Sequence, residues 1–348
     1  MIDYSGADIE QLAIHNVGNK TNEENLICSH SELEVNDPRL AELLFTYFLK
    51  SFPDQEFYNF TFSNDDHQMN PVFNYASAIF DDHDSFHINT INIAKHLYES
   101  AIHPNIKSGD LFVARFTDII LNDDVAEVIG IFKSENDHSF LQVEQEESDY
   151  HVKYEDGINI DKLDKGCWIF NLEKEKGFKV AIIDKANKAM EAHFWRDTFL
   201  NLKCANDDYN QTKDFLTVTK NFVTKHIDDE FEISKTEKID ILNKSVEYFK
   251  ENESFNKEEF EQKVFNNQEL IESFNSFDTE YREKHDLEIV EDFDISDKAV
   301  KKQARVFKSV LKLDKNFHIY IHGDKSLIQQ GTDSDGRKFY KIYYDEEQ

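Results

Sequence analysis

Two long strand-type runs in the first half of the chain constrain the fold most strongly. They read "GDLFVARFTDIIL" and "AEVIGIFKSE", both are rich in β-branched and aromatic residues, and the turn residues "NDD" lie between them. This pattern predicts a β-hairpin. Other strand-type runs predict that the hairpin belongs to a larger antiparallel sheet: "IEQLAIHNVG", "SFLQVEQEE", "CWIFNLE" and "GFKVAIID".

Three helices are expected in the same half. The segment "NDPRLAELLFTYFLKSF" opens with an Asn/Asp cap and Pro38, and its leucine and aromatic residues recur at helical spacing. The segments "NPVFNYASAIF" and "INTINIAKHLYESA" predict two more helices. Helices set to one side of an antiparallel sheet are a common packing. Residues 1–184 are therefore expected to form an N-terminal α+β domain.

From about Lys185 the pattern changes to helices. "KAMEAHFWRDTFLNLK" is apolar on more than one side, and Ser234 with Glu237 has the spacing of a capping box. The predicted fold class is therefore α+β. A mixed antiparallel-sheet and helix domain precedes a mainly helical domain, residues 185–348, which is expected to end in a basic helix (296–312) and a β-hairpin (316–345).

Charge is distributed unevenly along the chain. The formal net charge is −31, from 39 Lys and Arg residues and 70 Asp and Glu residues. Residues 298–341 have a net charge of +7, residues 342–348 contribute −3, and residues 1–297 carry −35. Such asymmetry indicates an anion-binding segment on a body that repels anions. Alternatively, the acidic residues serve mainly to keep the protein soluble.

The predicted basic helix places its cations on one face. At 100° per residue, six cationic side chains fall within about 120° of arc: Lys298, Lys301, Lys302, Arg305, Lys308 and Lys312. Alanine, valine, leucine and phenylalanine residues occupy the other side, and no acidic residue interrupts the stripe. Most solvated helices relieve such repulsion with acidic i,i+4 partners, so the stripe favours contact with DNA or RNA. A solvated face, or docking on the acidic body of the same chain, is the alternative.

The strand-type run after this helix places three polar rings on one face, namely His318, Tyr320 and His322. Beside a basic helix, these side chains suit phosphate contact or base stacking. Half-exposed strand positions also commonly hold Tyr and His, so a purely structural role is the alternative.

The sequence contains no complete catalytic or metal-binding set. "DDHDSFH", residues 81–87, places His83 and His87 at i,i+4 among aspartates, but a polar junction between two helices explains it as well. P-loop, GxGxxG and GxSxG motifs are absent from the sequence. We therefore predict no catalytic residue, no metal, no cofactor and no enzymatic activity. A metal-dependent hydrolase using His83 and His87 is the weakest of the three hypotheses.

Cysteine content and hydropathy bear on location. The three cysteines are scattered and odd in number, which suits a reducing compartment. The N-terminal segment lacks the pattern of a signal peptide, and no apolar run approaches the length of a membrane span. We expect a cytoplasmic protein without membrane contact. The apolar stretch "HFWRDTFLNL" is expected to exceed what one small domain can hide, which predicts a homodimer.

Four segments in this order resemble the bacterial nucleoid-associated protein family: "DLFVARFTDII", "KGCWIFN", "AHFWRDTFLNLK" and "VLKLDKNFHIYIHG…KFYKIYYDEE". The resemblance extends along nearly the whole chain and implies a DNA-binding protein of the nucleoid without a settled enzymatic activity. Our leading hypothesis is a non-enzymatic, nucleoid-associated homodimer that binds DNA with low sequence specificity. The rival hypothesis is an acidic adaptor or nucleic-acid mimic that binds DNA-processing proteins.

Overall fold

The structure is a computed structural model that describes residues 2–50, 52, 56–122, 124–147, 149–184, 193–285, 287–305, 307, 310–313, 317–320, 327–344 and 346. The α+β fold class is confirmed. The chain forms two compact units, residues 1–205 and 206–348. The sequence-based division at residues 184 and 185 lies earlier than this one, because Leu202–Cys204 forms an edge strand in the sheet of the first unit.

The first unit is built on an antiparallel sheet. The strands of the whole unit are β1 (Ile2–Asp3), β2 (Asp8–Val17), β3 (Leu26–Ile27), β4 (Phe57–Phe60), β5 (Gly109–Leu121), β6 (Asp124–Ser134), β7 (His138–Glu146), β8 (Asp149–Gly157), β9 (Lys165–Phe170), β10 (Lys179–Asp184) and β11 (Leu202–Cys204). Within the described residues, nine of these strands form one sheet in the order β11–β4–β10–β9–β6–β5–β2–β3, with β1 beside β5. The predicted hairpin is confirmed as β5 and β6, with Leu121 opposite Asp124.

Helices cover both faces of this sheet. They are α1 (Pro38–Leu49), α2 (Pro71–Asp81) and α3 (Phe86–Ser100). Aromatic residues of α1 belong to the same apolar cluster as Trp168 and Phe170 of β9, whereas residues of α2 and α3 belong to a second cluster with Cys167 and Ile169 of the same strand. The prediction that helices lie on one side of the sheet is therefore wrong. All six residues of β9 are buried, and a strand that is buried throughout needs cover on both faces.

Buried Asn70 connects three parts of the first unit. Its side-chain oxygen accepts a hydrogen bond from the backbone N–H of Phe73 at 3.0 Å, which caps α2. Its side-chain nitrogen donates to the carbonyl oxygens of Thr61 and Leu200, at 2.9 and 2.8 Å. Because the residue has no exposed surface, every lost bond would leave a buried polar group unsatisfied.

Strands β7 and β8 form a two-stranded sheet of their own, which we call the β-arm (residues 138–157). The sequence predicted that "SFLQVEQEE", which lies in this segment, continues the main sheet, and that prediction is wrong. Both edges of β6 are already paired, with β5 on one side and β9 on the other. The chain after β6 therefore pairs with the segment that follows it.

The second unit is mainly helical. Its helices are α4 (Asp208–Asn221), α5 (Ile227–Glu230), α6 (Lys235–Glu251), α7 (Lys257–Val264), α8 (Gln268–His285) and α9 (Asp297–Ala304), with a π-helical turn at Phe222–His226. The predicted capping box is confirmed, since the backbone N–H of Glu237 donates to Ser234 Oγ at 3.2 Å and the Glu237 carboxylate accepts from the Ser234 backbone N–H at 2.9 Å. The core is rich in stacked phenylalanines, and β12 (Ser254–Asn256) pairs with β13 (Asp292–Asp294) beside them.

The C-terminal segment differs from the prediction of one long helix and one hairpin. Helix α9 ends at Ala304, and two hairpins follow: β14 (Val310–Leu313) with β15 (Phe317–Tyr320), and β16 (Ile328–Thr332) with β17 (Lys338–Ile342). The helix predicted over 296–312 therefore extends too far. The single hairpin predicted over 316–345 is also wrong, because β15 pairs with β14 and β16 pairs with β17. Each strand pairs with its nearest neighbour in sequence, which minimises the entropy of loop closure.

Candidate nucleic-acid interface

Helix α9 presents cations on one side and packs with the other. Ser296 caps the helix through a 3.5 Å bond from the Ala299 backbone N–H. Ala299 and Val300 are buried, and Val300 belongs to the apolar core of the second unit. The cationic residues of this segment are exposed, namely Lys298, Lys301, Lys302 and, directly after the helix, Arg305. The amphipathic character predicted for this segment is therefore present in its first two turns.

The spacing of these four cations suits a row of phosphates. A helix rises about 1.5 Å per residue, so Lys298 and Arg305 lie about 10 Å apart along the axis. Phosphates of one DNA strand follow each other at about 3.4 Å of helix axis, so the row extends past about three of them. Lys302 Nζ also lies 5.7 Å from the centre of the Tyr209 ring, a cation–π contact that orients this side chain over α4.

The remaining residues of the predicted site do not continue the helical stripe. Lys308 and His322 lie outside the described residues. Lys312 is on β14 opposite His318 of β15, and Tyr320 is opposite Val310, so these positions belong to a hairpin. Their side chains also lie outside the described part of the structure. A single helical stripe of six cations is therefore wrong, because the chain changes from helix to strand between Lys302 and Lys312.

A second exposed face, with two aromatic rings and one lysine, was missed by the sequence analysis. On β17 and just after it, Phe339, Lys341 and Tyr343 share one side, while Tyr340 on the opposite side packs with Ile239. Lys341 Nζ lies 4.7 Å from the centre of the Tyr343 ring, and all three side chains are exposed. The signal was in "KFYKIYY", where every second residue from Phe339 is aromatic, basic and aromatic, and a period of two places these residues on one face of a strand.

Cross-strand contacts hold this β17 face in place. Phe339 is opposite Gly331, and a Cβ atom at Gly331 would lie only 2.4 Å from the phenyl ring. Glycine therefore lets the ring rest directly on the neighbouring backbone. The Tyr343 hydroxyl donates to the Gln329 side chain at 3.0 Å. The two rings are thus held by their own hairpin while 44% and 39% of their surfaces remain exposed.

The histidine-aspartate segment between α2 and α3 is a polar junction. His83 Nε2 lies 2.9 Å from a Glu127 carboxylate oxygen, whereas His87 Nε2 contacts Ser29 Oγ at 3.2 Å. The Asp81 carboxylate accepts from Lys174 at 3.0 Å. These side chains point to different partners rather than to one centre. Among the described residues, no three His, Cys, Asp or Glu side chains are grouped as metal ligands would be.

His15 is buried beside this junction in its neutral form. Its Nδ1 accepts from the Ser29 backbone N–H at 3.1 Å, so the proton is on Nε2, which donates to Thr90 Oγ1 at 3.0 Å. Burial, with a smaller contribution from nearby His87, lowers the pKa of His15 to about 4. Nε2 joins β2 to α3, and Nδ1 joins β2 to the segment that follows β3, which indicates a structural role.

A closed ion network lies at the end of β6 and β9. The Glu135 carboxylate accepts from Lys133 and Lys165, each at 3.0 Å, and all three side chains are almost completely buried. Burial lowers the pKa of Lys133, while Glu135 offsets part of that effect. Lys165 Nζ also lies 3.6 Å from an Asp184 carboxylate oxygen, so two lysines face two carboxylates. Because these opposite charges are paired in place, we assign the network to stability rather than to chemistry.

The apolar stretch that suggested a homodimer is buried within the first unit. Phe194–Leu200 forms a π-helix whose apolar residues, Phe194, Trp195, Phe199 and Leu200, are buried. The Trp195 indole N–H donates to the Gly166 carbonyl oxygen at 3.2 Å. The stretch therefore supplies no exposed dimer face, and the homodimer stays a prediction that needs another surface.

Comparison with known proteins identifies relatives at the level of a family. The family model described as nucleoid-associated protein YejK matches residues 13–348, which include nearly the whole of both units. No curated protein matches the chain. Within the described residues, no helix has the length and apolar content to cross a membrane.

Proposed function

The chain belongs to the family of nucleoid-associated protein YejK, and on this premise we propose that it binds DNA through the basic end of its second unit. The observation that supports this proposal best is the exposed row of Lys298, Lys301, Lys302 and Arg305 on a helix whose other side is buried. In a chain of net charge −31, an exposed cationic row suits an anionic partner.

Phosphate contact determines the expected binding properties. Lysine and arginine side chains that meet phosphates position a protein on DNA but do not distinguish base sequences. We therefore propose low sequence specificity and a location at the nucleoid, without catalysis. The acidic remainder of the chain repels the same polyanion within a Debye length of about 8–10 Å, so affinity at physiological salt should be modest.

The β17 face extends the proposed interface. Exposed aromatic rings stack on unpaired bases, and a lysine between them can contact the backbone phosphate. Phe339, Lys341 and Tyr343 therefore suit single-stranded DNA or RNA, whereas α9 suits either duplex or single strand. Lys308, Lys312, His318, Tyr320 and His322 are the further candidates from the sequence.

The rival proposal is an acidic adaptor that binds basic DNA-processing proteins. In that case the cations of α9 should dock on carboxylates rather than meet a polyanion. The exposed fraction of these side chains leaves them accessible to DNA, which is why we place the adaptor second. Association with other nucleoid proteins is compatible with either function.

The deciding measurement is equilibrium binding of fluorescent duplex DNA, single-stranded DNA and RNA at several salt concentrations. Binding that weakens steeply with salt and varies little with sequence supports the proposal. Absence of binding to all three ligands at about 50 mM salt, where phosphate contacts are strongest, would favour the adaptor.

A further inference from the structure

The β-arm carries the largest cluster of exposed apolar side chains in the described part of the chain. Leu141 and Val143 of β7 are 75% and 64% exposed, and Tyr150, Val152 and Tyr154 of β8 are 68%, 63% and 71% exposed. These fractions are far higher than those of the aromatic and aliphatic residues in the main sheet, most of which are buried. The feature is therefore confined to this hairpin.

The strand register places these five residues on one face. Leu141 is opposite Tyr154, Val143 is opposite Val152, and Tyr150 is opposite Gln145. Alternate residues of a strand point to opposite sides of a sheet. The other face is polar except for Phe140, and a Lys153–Glu144 ion pair connects its two strands. The β-arm is thus amphipathic, with an apolar face that no part of the described chain covers.

An uncovered hairpin of this kind is energetically unfavourable. Two strands alone are marginally stable in water and need packing on an apolar face. With full areas of about 150–200 Å² for such residues, roughly 600 Å² of this face is exposed, at the upper end for a monomer. A stable interface buries about 800 Å² per partner. The face alone supplies most of that area.

Charge excludes several occupants. Residues 138–157 contain six Asp and Glu residues and one Lys, so nucleic acid and anionic membrane surfaces would be repelled. The five apolar positions carry no charge, so a basic protein would gain little from them. A second copy of the chain offers an apolar face of the same size, and the acidic residues on the polar face would point away from the contact. Asp156 lies at the end of the apolar face, opposite Ser139, whose hydroxyl donates to its carboxylate.

We propose that the β-arm is the dimerisation element of the protein, with the apolar faces of two arms packed against each other around a two-fold axis. Such a contact is isologous, because the same patch serves both copies. The Val143–Val152 pair lies in the middle of the face, and tyrosines lie on both sides of it. The inference is independent of DNA binding, since it rests on a different surface.

The proposal predicts that salt strengthens self-association. Two copies that each carry −31 repel one another, and salt screens this repulsion while leaving apolar contact intact. Sedimentation equilibrium without DNA, at about 10 μM protein and at about 50 and 500 mM salt, measures the effect. We expect a dimer whose dissociation constant falls severalfold at the higher salt.

Two opposite charges at one position test the face directly. Val143→Asp and Val143→Lys should each weaken dimerisation at least tenfold, and an equimolar mixture of the two should associate again. Recovery in the mixture also shows that both variants are folded. Phe140→Asp is the matched control, because it adds the same charge on the opposite, polar face of β7. This control should change the dissociation constant less than twofold.

Three results would overturn the proposal. They are a wild-type protein that remains monomeric at both salt concentrations, a Val143→Asp variant that dimerises as wild type does, and a Phe140→Asp variant that dissociates as far as Val143→Asp. Loss of DNA binding with an intact dimer would instead count only against the proposed function.

Discussion

Neutralising the exposed cations of α9 is the sharpest perturbation of the proposed DNA interface. The variant replaces Lys298, Lys301, Lys302 and Arg305 by Gln, which keeps much of each side chain and introduces no acidic group. All four residues are exposed, so the fold should persist. Loss of the Lys302–Tyr209 contact should lower the free energy of unfolding by no more than about 1 kcal/mol.

The magnitude follows from counterion release. Each neutralised phosphate contributes about −0.9 to the slope of log affinity against log salt concentration, so four contacts contribute about −3.6. Between about 50 and 200 mM salt, that slope alone weakens binding about 150-fold. The quadruple variant should lose this part of the slope and bind DNA weakly at every salt concentration.

A matched control separates local contact from total charge. Lys225, Lys235, Lys250 and Lys284 are exposed elsewhere on the second unit, and replacing them by Gln gives the same net charge. Fluorescence anisotropy with a labelled duplex, repeated at five salt concentrations, compares both variants with wild type. If the two variants show equal slopes, or if the α9 variant keeps the wild-type slope, the helix is not the DNA-binding surface.

Three further predictions concern other residues. Phe339→Ala with Tyr343→Ala should weaken binding of single-stranded DNA at least about tenfold and duplex binding less than about twofold, because only unpaired bases stack; equal losses would contradict this. Asn70→Ala should lower the free energy of unfolding by about 2–4 kcal/mol in urea titrations, because it removes a cap and two buried bonds; a change below about 0.5 kcal/mol would be inconsistent. Folding makes His15 harder to protonate. The stability that its neutral ring contributes is therefore fully present above pH 6.5, the ordinary pKa of histidine, and is lost as the pH falls towards the folded-state pKa of about 4. Unfolding free energy should drop by about 2 kcal/mol more between pH 7.5 and 5 in wild type than in His15→Asn, and parallel pH curves would refute this.

Local signals in the sequence predicted local structure well. Asp37 and Pro38 begin α1 as expected, with the Asp37 side chain accepting from the backbone N–H of Arg39, and Ser234 with Glu237 forms the expected capping box. These features depend on contacts between residues two or three positions apart. Such contacts are fixed by the identity of a few neighbouring side chains, so they can be read directly from a sequence.

Arrangements that depend on distant partners were predicted less well. The helices were predicted on one side of the sheet, and only the paths of α1, α2 and α3 show that both faces of β9 are covered. In the segment that follows α9, Lys308 and Lys312 have the spacing of a helix, yet Leu311 and Leu313 also alternate as in a strand. Pairing with Phe317–Tyr320 selects the strand. The spacing of residues within one segment does not show which other segment it will pair with.

The two proposed surfaces respond to salt in opposite directions, which makes their effects separable. Added salt weakens phosphate contacts of α9 by counterion release and strengthens the contact between two acidic chains by screening. A dimer that engages one DNA molecule with both of its α9 helices gains affinity by effective concentration, without any new type of contact. The salt slope of wild type should therefore depend on protein concentration, being steeper where dimers predominate. In Val143→Asp, which retains α9 but should remain monomeric, the slope should be the same at every protein concentration. That comparison identifies how much of DNA binding belongs to one chain and how much belongs to the pair.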